Sequence, residues 1–493
     1  MEYSFLATVF VAVLLYPTIL VFIQNNGYRI PFKNKKFLLD AAIDVFPSAL
    51  FFTAFISYTA SLVAIISLDV LLAVKAVYTT ATARIKPRFT PRAVRLSVVV
   101  TAVFLGTIIP LCVCTHSIVV PFFTMPLFYS ILFVCLPILG AIENLNNKKG
   151  LKRARLILDS VPLKIGITGS AGKTTVKNIL AAMLSKKFTV MASFGNYNTP
   201  IGISKSLEDY NGEEIFIAEI GARKKGDVKE LLDLIHPSIG VLTTINPQHS
   251  ESFGTIDDVY NEKSLLVKEA PRLSVVNADN EYISDHLDDL MPDVAVGRDI
   301  SAEIISSDLD GTRFILRDGP KSLYMETVLL GRAAVTDVML AYTVASRLGV
   351  EDDDIVSAVR DLSYVPHRME KISSHGVTII DDGYNSNIEG VDFAIQFFSR
   401  IDGRKVVCAQ GIVEQGKNAA KVNKELGEKF SRVFDVIVTT GCNSKYIVKG
   451  AKEAGYRGEI YSVRNMKEVQ RVFSLILLPG DIVYLNNDVP DFM

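Results

Sequence analysis

Residues 163–175, which read LKIGITGSAGKTT, constrain the fold of this chain more than any other segment. A short β-branched run ends in a glycine turn of the form G-x-x-G-K-[ST], and a helical pattern follows directly over 176–184. Such a strand, turn and helix N-terminus bring unpaired amides and the helix dipole to one anion. Lys173 can reach terminal phosphates and the Thr174 hydroxyl suits Mg²⁺. The segment therefore predicts nucleotide binding by Gly169, Ser170, Ala171, Gly172, Lys173, Thr174 and Thr175.

The charge of the chain is divided unevenly along its 493 residues. Residues 1–155 carry a net charge of +10, and the remainder carries −11. Mean hydropathy is +0.29, which is high for a soluble enzyme. A basic, apolar first third followed by an acidic remainder is typical of a membrane anchor joined to a cytosolic enzyme. The acidic remainder gives no support to nucleic-acid binding, so we expect no nucleic-acid partner.

Three long uncharged runs predict an α-helical transmembrane region at the N-terminus. They cover residues 3–28, the segment between Asp44 and Asp69, and residues 96–142. The third run is long enough for two spans joined by a turn near 115–121. Basic clusters at 84–92 and 148–155 belong on the cytosolic side, which makes this run a hairpin. We expect four spans, with five as the alternative, in a multi-pass protein of the cell membrane whose catalytic domains are cytoplasmic and which contacts membrane lipid.

The remainder of the chain alternates candidate strands with helical patterns, which predicts parallel α/β sheets. Glu219 ends one apolar strand, and Asp381 and Asp382 end another. Polar groups at the carboxyl ends of parallel strands are well placed to bind ligands. Short antiparallel strands are expected over 294–330, and a second doubly wound domain is expected to begin near 365. The predicted domains are 1–155 (transmembrane), 156–364 (central, ATP-binding) and 365–493 (C-terminal, Rossmann-like).

Seven short motifs occur in an order that resembles the Mur ligases, the ATP-dependent amide ligases of peptidoglycan precursor synthesis. The nearest type is MurF, which adds D-alanyl-D-alanine. The resemblance covers about residues 160–493. Its motifs are GSAGKTT from 169, NYNTPIG from 196, EIGA from 219, HSESFG from 249 with Lys263, NADN from 277, PHR ending at Arg368, and DDGYN from 381.

The resemblance implies a complete set of site residues for ATP, Mg²⁺ and the acyl group. Lys173 and the loop amides would hold ATP phosphates, and Arg368 would reach the γ-phosphate. Asp382 would hold the ribose and Asn277 would lie near adenine. The metal ligands would be Thr174 and Glu219 for one Mg²⁺ and His249 for a second. Lys263 matches the lysine that is carbamylated in many members, and the catalytic set would be Lys173, His249, Lys263 and Arg368.

Three departures from the family pattern leave the substrates open. The usual asparagine-bearing helix start reads GRAAVTD over 331–337, the late L-K-G-S loop is replaced by LNNDVPD over 485–491, and membrane-type sequence occupies the place of the UDP-binding domain. The expected activity is an acid–amino-acid ligase that joins a UDP- or lipid-linked muramyl peptide to an amino acid or dipeptide. Two alternatives remain: an amidating enzyme supplied with ammonia by a partner, and a nucleotide-binding membrane scaffold without ligase activity.

Overall fold

The computed structural model describes residues 90–115, 120–246, 253–383, 388–412 and 418–486. The predicted spans over 3–28 and 44–69, His249 and the loop over 487–491 lie outside the described residues. The chain divides into two compact units, Met1–Lys149 and Gly150–Met493.

The described part of the first unit is a pair of helices. Helix α1 is Pro91–Thr115, and the first 30 residues of α2, Val120–Ser160, belong to the same unit. Arg92 pairs with Glu143 at 2.7 Å, and the rings of Phe104 and Phe128 meet edge to face. The first contact joins the start of α1 to the later part of α2, and the second joins the middle of α1 to the start of α2, so the two helices pack antiparallel.

One described helical segment, Ser130–Ser160, is long and apolar enough by length and composition to cross a membrane. Its most apolar window has a mean hydropathy of 1.3, and 22% of that window is buried. The membrane crossing itself stays a prediction.

The second unit begins with a nine-stranded sheet of order β2-β3-β1-β4-β5-β6-β7-β8-β9. The first six strands of this order pair in parallel, and β7, β8 and β9 pair antiparallel with one another. The strands are β1 Leu163–Thr168, β2 Val190–Ala192, β3 Ile215–Glu219, β4 Ile239–Leu242, β5 Leu273–Asn277, β6 Val294–Val296, β7 Ile300–Asp308, β8 Gly311–Asp318 and β9 Lys321–Thr327.

Helices cover this sheet because each has one apolar face to bury. In the helix after β1, Val176, Ile179, Leu180 and Met183 are at most 1% exposed and join the core formed with β1 and β4. The helices of this domain are α3 Lys173–Leu184, α4 Pro200–Ser206, α5 Asp227–Ile235, α6 Ile256–Lys263, α7 Leu265–Lys268, α8 Glu281–Ser284, α9 Leu287–Leu290, α10 Gly331–Arg347 and α11 Asp352–Arg360.

A six-stranded sheet of order β10-β11-β15-β12-β13-β14 forms the C-terminal domain. Strand β10 is antiparallel at one edge and the other pairs are parallel, as expected of a doubly wound domain. The strands are β10 Glu370–Ser374, β11 Val377–Asp382, β12 Lys405–Ala409, β13 Val436–Thr439, β14 Glu459–Ser462 and β15 Ile482–Asn486. The helices are α12 Ile388–Phe398, α13 Ala419–Phe430, α14 Ser444–Glu453 and α15 Met466–Ile476.

Two elements differ from their sequence-based predictions. The sequence over 187–192 predicts a strand, but the observed strand is shorter, Val190–Ala192. Lys186, Lys187 and Phe188 instead close the end of α3 with hydrogen bonds to its last carbonyls. The helical pattern over 258–268 predicts one helix, whereas the structure has two, α6 and α7, which meet at Ser264. Thr255 starts α6 with a reciprocal capping box to Asp258, so the helix begins two residues before the prediction.

Candidate active site

Two glycines shape the loop between β1 and α3. Gly169 has φ 149°, and a Cβ there would lie 1.9 Å from Thr243 Oγ1. Gly172 has φ 79°, and its Cβ would lie 2.8 Å from Asp337 Oδ1. Only glycine combines these backbone conformations with such close neighbours. The Ala171 amide donates to Thr244 Oγ1 at 2.8 Å, which ties the loop to the end of β4.

Lys173 lies across the phosphate loop. Its Nζ donates to the Gly169 carbonyl at 2.7 Å. Burial lowers the pKa of Lys173, the Glu219 charge raises it, and the positive charge of Arg368 lowers it. Arg368 belongs to the C-terminal domain, yet its charge reaches Lys173 of the central domain and lowers the pKa of that lysine.

Thr174 and Glu219 form an oxygen-rich corner beside the loop. Thr174 Oγ1 donates to Glu219 Oε2 at 2.8 Å, and Asn198 Nδ2 donates to Glu219 Oε1 at 3.3 Å. Glu219 is 2% exposed and ends β3, which pairs with β1 in register with Ile167. A buried carboxylate next to a hydroxyl is a hard oxygen donor set, which fits Mg²⁺. The predicted ligands Thr174 and Glu219 are thus brought together.

Lys177, on the same helix as Thr174, approaches the same oxygen of Glu219. Its Nζ donates to the Ser193 carbonyl at 2.7 Å and to the Gly195 carbonyl at 2.5 Å, and lies 3.7 Å from Glu219 Oε2. Burial lowers the pKa of Lys177, and Glu219 raises it. Sequence reasoning missed this residue, although its spacing to Leu180 and Leu184 places it on the buried face of α3.

Lys263, at the end of α6, is buried against the phosphate loop. Its side chain donates to Ser170 Oγ at 3.0 Å, and the residue is 3% exposed. Ser170 Oγ in turn accepts from the Asn246 amide at 3.0 Å. Within the described ranges Lys263 forms no salt bridge. Burial lowers the pKa of Lys263 well below its usual value, and Lys173 lowers it further.

The segment between the two domains carries Arg368 in an unusual backbone setting. His367 and Met369 on either side have φ 60° and 49°. His367 Nδ1 lies 2.8 Å from Asp381 Oδ2, and the His367 amide donates to Glu370 Oε2. The ligand atoms of His367, Glu370 and Asp381 lie within 4.8 Å of one another, so this trio also has metal-binding potential.

Asp382 ends β11 beside Tyr484 of β15. Tyr484 donates a hydrogen bond to Asp382 Oδ2 at 3.1 Å, and Asn486 Nδ2 donates to the Tyr484 hydroxyl. Burial raises the pKa of Asp382 to about 7, against the lowering effects of the Tyr484 hydrogen bond and of Arg368. Arg368, Asp382 and Thr175 line one cavity of about 130 Å³.

A second cavity, of about 190 Å³, extends from the phosphate loop toward β5. It is lined by Ala171, Gly172, Thr175, Thr244, Asn277, Asp279, Arg332, Ala333, Thr336, Asp337, Gly390 and Phe393. At this side Arg332 pairs with Asp279 at 3.3 Å and Thr336 Oγ1 donates to Asp279 at 3.1 Å. Where the family has asparagines, the start of α10 therefore presents Arg332, which pairs with Asp279 from the segment after β5. Asn277 also lines this cavity, and its place near adenine stays a prediction.

Of the residues predicted for the site, all but His249 lie in the described chain. Those of the central domain surround the phosphate loop, and Arg368 and Asp382 reach a cavity that includes Thr175 of α3. Sequence reasoning did not identify Lys177, Asn198 or Tyr484 as site residues. Asn198 carried a signal, because it belongs to the NYNTPIG motif, but Tyr484 sits in an ordinary apolar strand pattern.

Known proteins share this domain pair. The model of the Mur ligase middle domain matches residues 167–345, and that of the Mur ligase glutamate ligase domain matches residues 367–486. The UDP-N-acetylmuramoyl-tripeptide–D-alanyl-D-alanine ligase of Haemophilus influenzae is 25% identical over 302 residues, covering 58% of this chain and 65% of that protein. The ligase of the same name from Escherichia coli K12 is 26% identical, covering 60% and 68%.

Solved structures share the fold at lower identity. MurF from Acinetobacter baumannii superimposes with a TM-score of 0.62 at 22% identity, covering 69% of this chain and 76% of that one. MurF from Thermotoga maritima, solved in complex with ADP, gives 0.61 at 22%, covering 69% and 80%. The chain spans less than two thirds of its Haemophilus influenzae and Borreliella burgdorferi relatives, 65% and 62% of their lengths. Since the two matched domains together occupy more than half of the sequence, the chain belongs to the Mur ligase family.

Proposed function

We propose that this chain is an ATP-dependent amide ligase of cell-wall precursor synthesis, of the MurF type. The proposal rests on one observation. Arg368 and Asp382 of the C-terminal domain line the same cavity as Thr175, which follows the phosphate loop. Ligation needs a nucleotide held at both ends, and this arrangement supplies groups for phosphate and for ribose. The names of the curated relatives support the same reaction.

The reaction proceeds in two balanced steps. A substrate carboxylate oxygen attacks the γ-phosphorus of ATP, the bond to the bridging oxygen breaks with its electron pair on ADP, and an acyl phosphate forms. The incoming amine then attacks the acyl carbon, loses a proton and expels phosphate, which leaves the amide. Phosphoryl transfer needs alignment and charge neutralisation, and Lys173 and Arg368 provide both for the transferred group.

Thr174 and Glu219 would hold Mg²⁺, with His249 as the proposed ligand of a second ion. Bound Mg²⁺ supplies charge neutralisation at the β- and γ-phosphates. The 2.8 Å hydrogen bond between Thr174 and Glu219 already places both oxygens on one side of the loop. Asn198 then orients the second carboxylate oxygen.

We also propose that Lys263 is carbamylated. The neutral amine attacks CO₂, a nitrogen–carbon bond forms, one electron pair moves to oxygen, and a proton is released. Burial, together with the nearby charge of Lys173, lowers the pKa of Lys263 and so favours the neutral, nucleophilic form of this amine. The product carboxylate would stand beside Ser170, where it can order a metal ion and the acyl group.

We further propose that ligation takes place at the cytosolic face of the membrane. The first third of the chain is basic and apolar, and the described helices α1 and α2 form a hairpin within it. An anchor of this kind raises the effective concentration of the enzyme next to a lipid-linked muramyl peptide. Basic residues at the membrane surface also suit an anionic pyrophosphate headgroup. The incoming amine is an amino acid or dipeptide, and the relatives' names point to D-alanyl-D-alanine.

The test uses the full chain in bilayers with ATP, Mg²⁺ and two muramyl peptides, one UDP-linked and one lipid-linked. Each is offered D-alanyl-D-alanine or ammonia, and phosphate release and product mass are measured. The proposal expects ADP formation coupled to a new amide on the lipid-linked substrate. Turnover of the UDP form alone would assign the anchor a purely tethering role. Products formed only from ammonia would identify an amidating enzyme, and no ATP turnover with any substrate would favour the scaffold.

A further inference from the structure

Lys177 is a buried cation on the helix that follows the phosphate loop. It lies one turn after Lys173 in α3, and its side chain is 2% exposed. A lysine is rarely this buried unless its charge is paired and its donors are satisfied. Here the partners are the Glu219 carboxylate and the backbone of the β2–α4 loop, residues 193–199.

The contacts of Lys177 make it a bridge between this loop and the metal-binding corner. Nζ donates to the carbonyls of Ser193 and Gly195 and lies 3.7 Å from Glu219 Oε2. The loop returns to the same carboxylate through Asn198, whose side chain donates to Glu219 Oε1. Thr199 then caps α4 by accepting from the Gly202 amide. Ser193 Oγ also accepts from the Glu219 amide, and the Phe194 amide donates to Ser206 Oγ. Loss of Lys177 would therefore loosen the loop mainly at Gly195, whose carbonyl accepts from Nζ.

The same cation competes electrostatically with a divalent ion. A metal ion bound to Thr174 and Glu219 would share Glu219 Oε2 with Lys177 Nζ. Two positive charges a few ångströms apart repel strongly in a partly buried site. Lys177 therefore weakens metal binding at Glu219 while no nucleotide phosphate is present to balance the charge.

We propose that Lys177 is a positioning residue with two linked effects: it fastens the β2–α4 loop to Glu219, and it keeps the metal affinity of Glu219 low until the nucleotide binds. Any effect of Lys177 on catalysis rests on the proposed function of the chain as a ligase. The effects on metal affinity and on loop mobility do not depend on turnover, so their failure can be told apart from failure of the ligase proposal.

The first test is Mn²⁺ binding to the full chain in bilayers without nucleotide, followed by electron paramagnetic resonance. Lys177→Met keeps the length of the side chain and removes its charge. We expect Mn²⁺ to bind on the order of tenfold more tightly than to the unchanged protein, because one repelling charge is gone. Lys177→Arg retains the charge and should leave Mn²⁺ affinity within about twofold. Unchanged or weaker Mn²⁺ binding by Lys177→Met overturns the charge role.

The second test is amide hydrogen exchange over the β2–α4 loop. Both Lys177→Met and Lys177→Arg should exchange faster over 193–199, since guanidinium geometry does not reproduce the two carbonyl contacts and the carboxylate contact together. The control is Lys205→Met, which removes an exposed charge from the last turn of α4 and should leave exchange and Mn²⁺ affinity unchanged. Equal exchange in Lys177→Arg and the unchanged protein overturns the fastening role, including when Lys177→Met fails to fold.

Discussion

Lys263 Nζ lies 3.0 Å from Ser170 Oγ, so a buried amine at the end of α6 touches the phosphate loop directly. The residues are 93 positions apart in sequence and meet because β1 and β4 are neighbours in the sheet. A charged amine in this position would face Lys173 without a paired carboxylate in the described chain. The contact therefore favours a chemical role for Lys263 that begins from its neutral form.

We expect Lys263→Ala to lose nearly all ligase activity while ATP still binds, because the phosphate loop and its glycines are untouched. Short carboxylates added to the mutant should restore part of the activity, since they can replace a carbamate. The measurements are phosphate release and nucleotide binding, with Lys268→Ala as the control because Lys268 is exposed in a surface pair with Asp289. Full activity of Lys263→Ala without additives would remove the residue from the mechanism.

Arg368→Lys should lower kcat on the order of 100-fold, because a single ammonium cannot replace the planar guanidinium on a transferring phosphoryl group. ATP binding should change much less, since the ground state keeps the loop and Lys173. The control is Arg360→Lys, an exposed arginine near the end of α11. A kcat equal to that of the unchanged enzyme would contradict the role of Arg368.

Asp382→Asn should stabilise the fold at high pH and have little effect at low pH. Burial raises the pKa of Asp382 from 3.8 to about 7, so the folded chain retains a proton that the unfolded chain loses between these values. Stability from this group is present below pH 4 and is lost as pH rises through about 7. Melting temperatures of both proteins, measured without nucleotide from pH 5 to pH 8.5, should diverge as pH rises. A constant difference across that range would exclude a raised pKa.

Gly169→Ala should abolish ATP binding and lower the unfolding free energy by about 2 kcal/mol or more, because φ 149° is unfavourable for alanine and its Cβ would overlap Thr243. Gly212→Ala is the matched control. It also has positive φ, 90°, but its Cβ would meet no atom within 4 Å, so the expected cost is ~1 kcal/mol with ATP binding intact. Nucleotide titration and denaturant unfolding separate the two effects. Equal losses in both variants would mean that backbone strain alone matters.

Local sequence was sufficient for most of the architecture. The β-branched run before Gly169, the glycine turn and the helix pattern after it predict a strand–loop–helix unit, and β1 and α3 occupy those residues. Glu219 and Asp382 were expected at strand ends and lie there. These predictions succeed because residue size, φ preference and apolar spacing act within a few positions along the chain.

Strand order in the two sheets decided which of these groups meet. Glu219 faces Thr174 because β3 lies beside β1, and Lys263 reaches Ser170 from a helix that follows β4. Lys177 and Tyr484 show no polar-site pattern of their own, and their partners at Glu219 and Asp382 are 42 and 102 residues away in sequence. The sequence by itself determined the phosphate loop and the strand-end carboxylates, because these depend on local conformation. Only tertiary structure decided the charge balance at Glu219 and the raised pKa of Asp382, because burial and distant charges arise from packing.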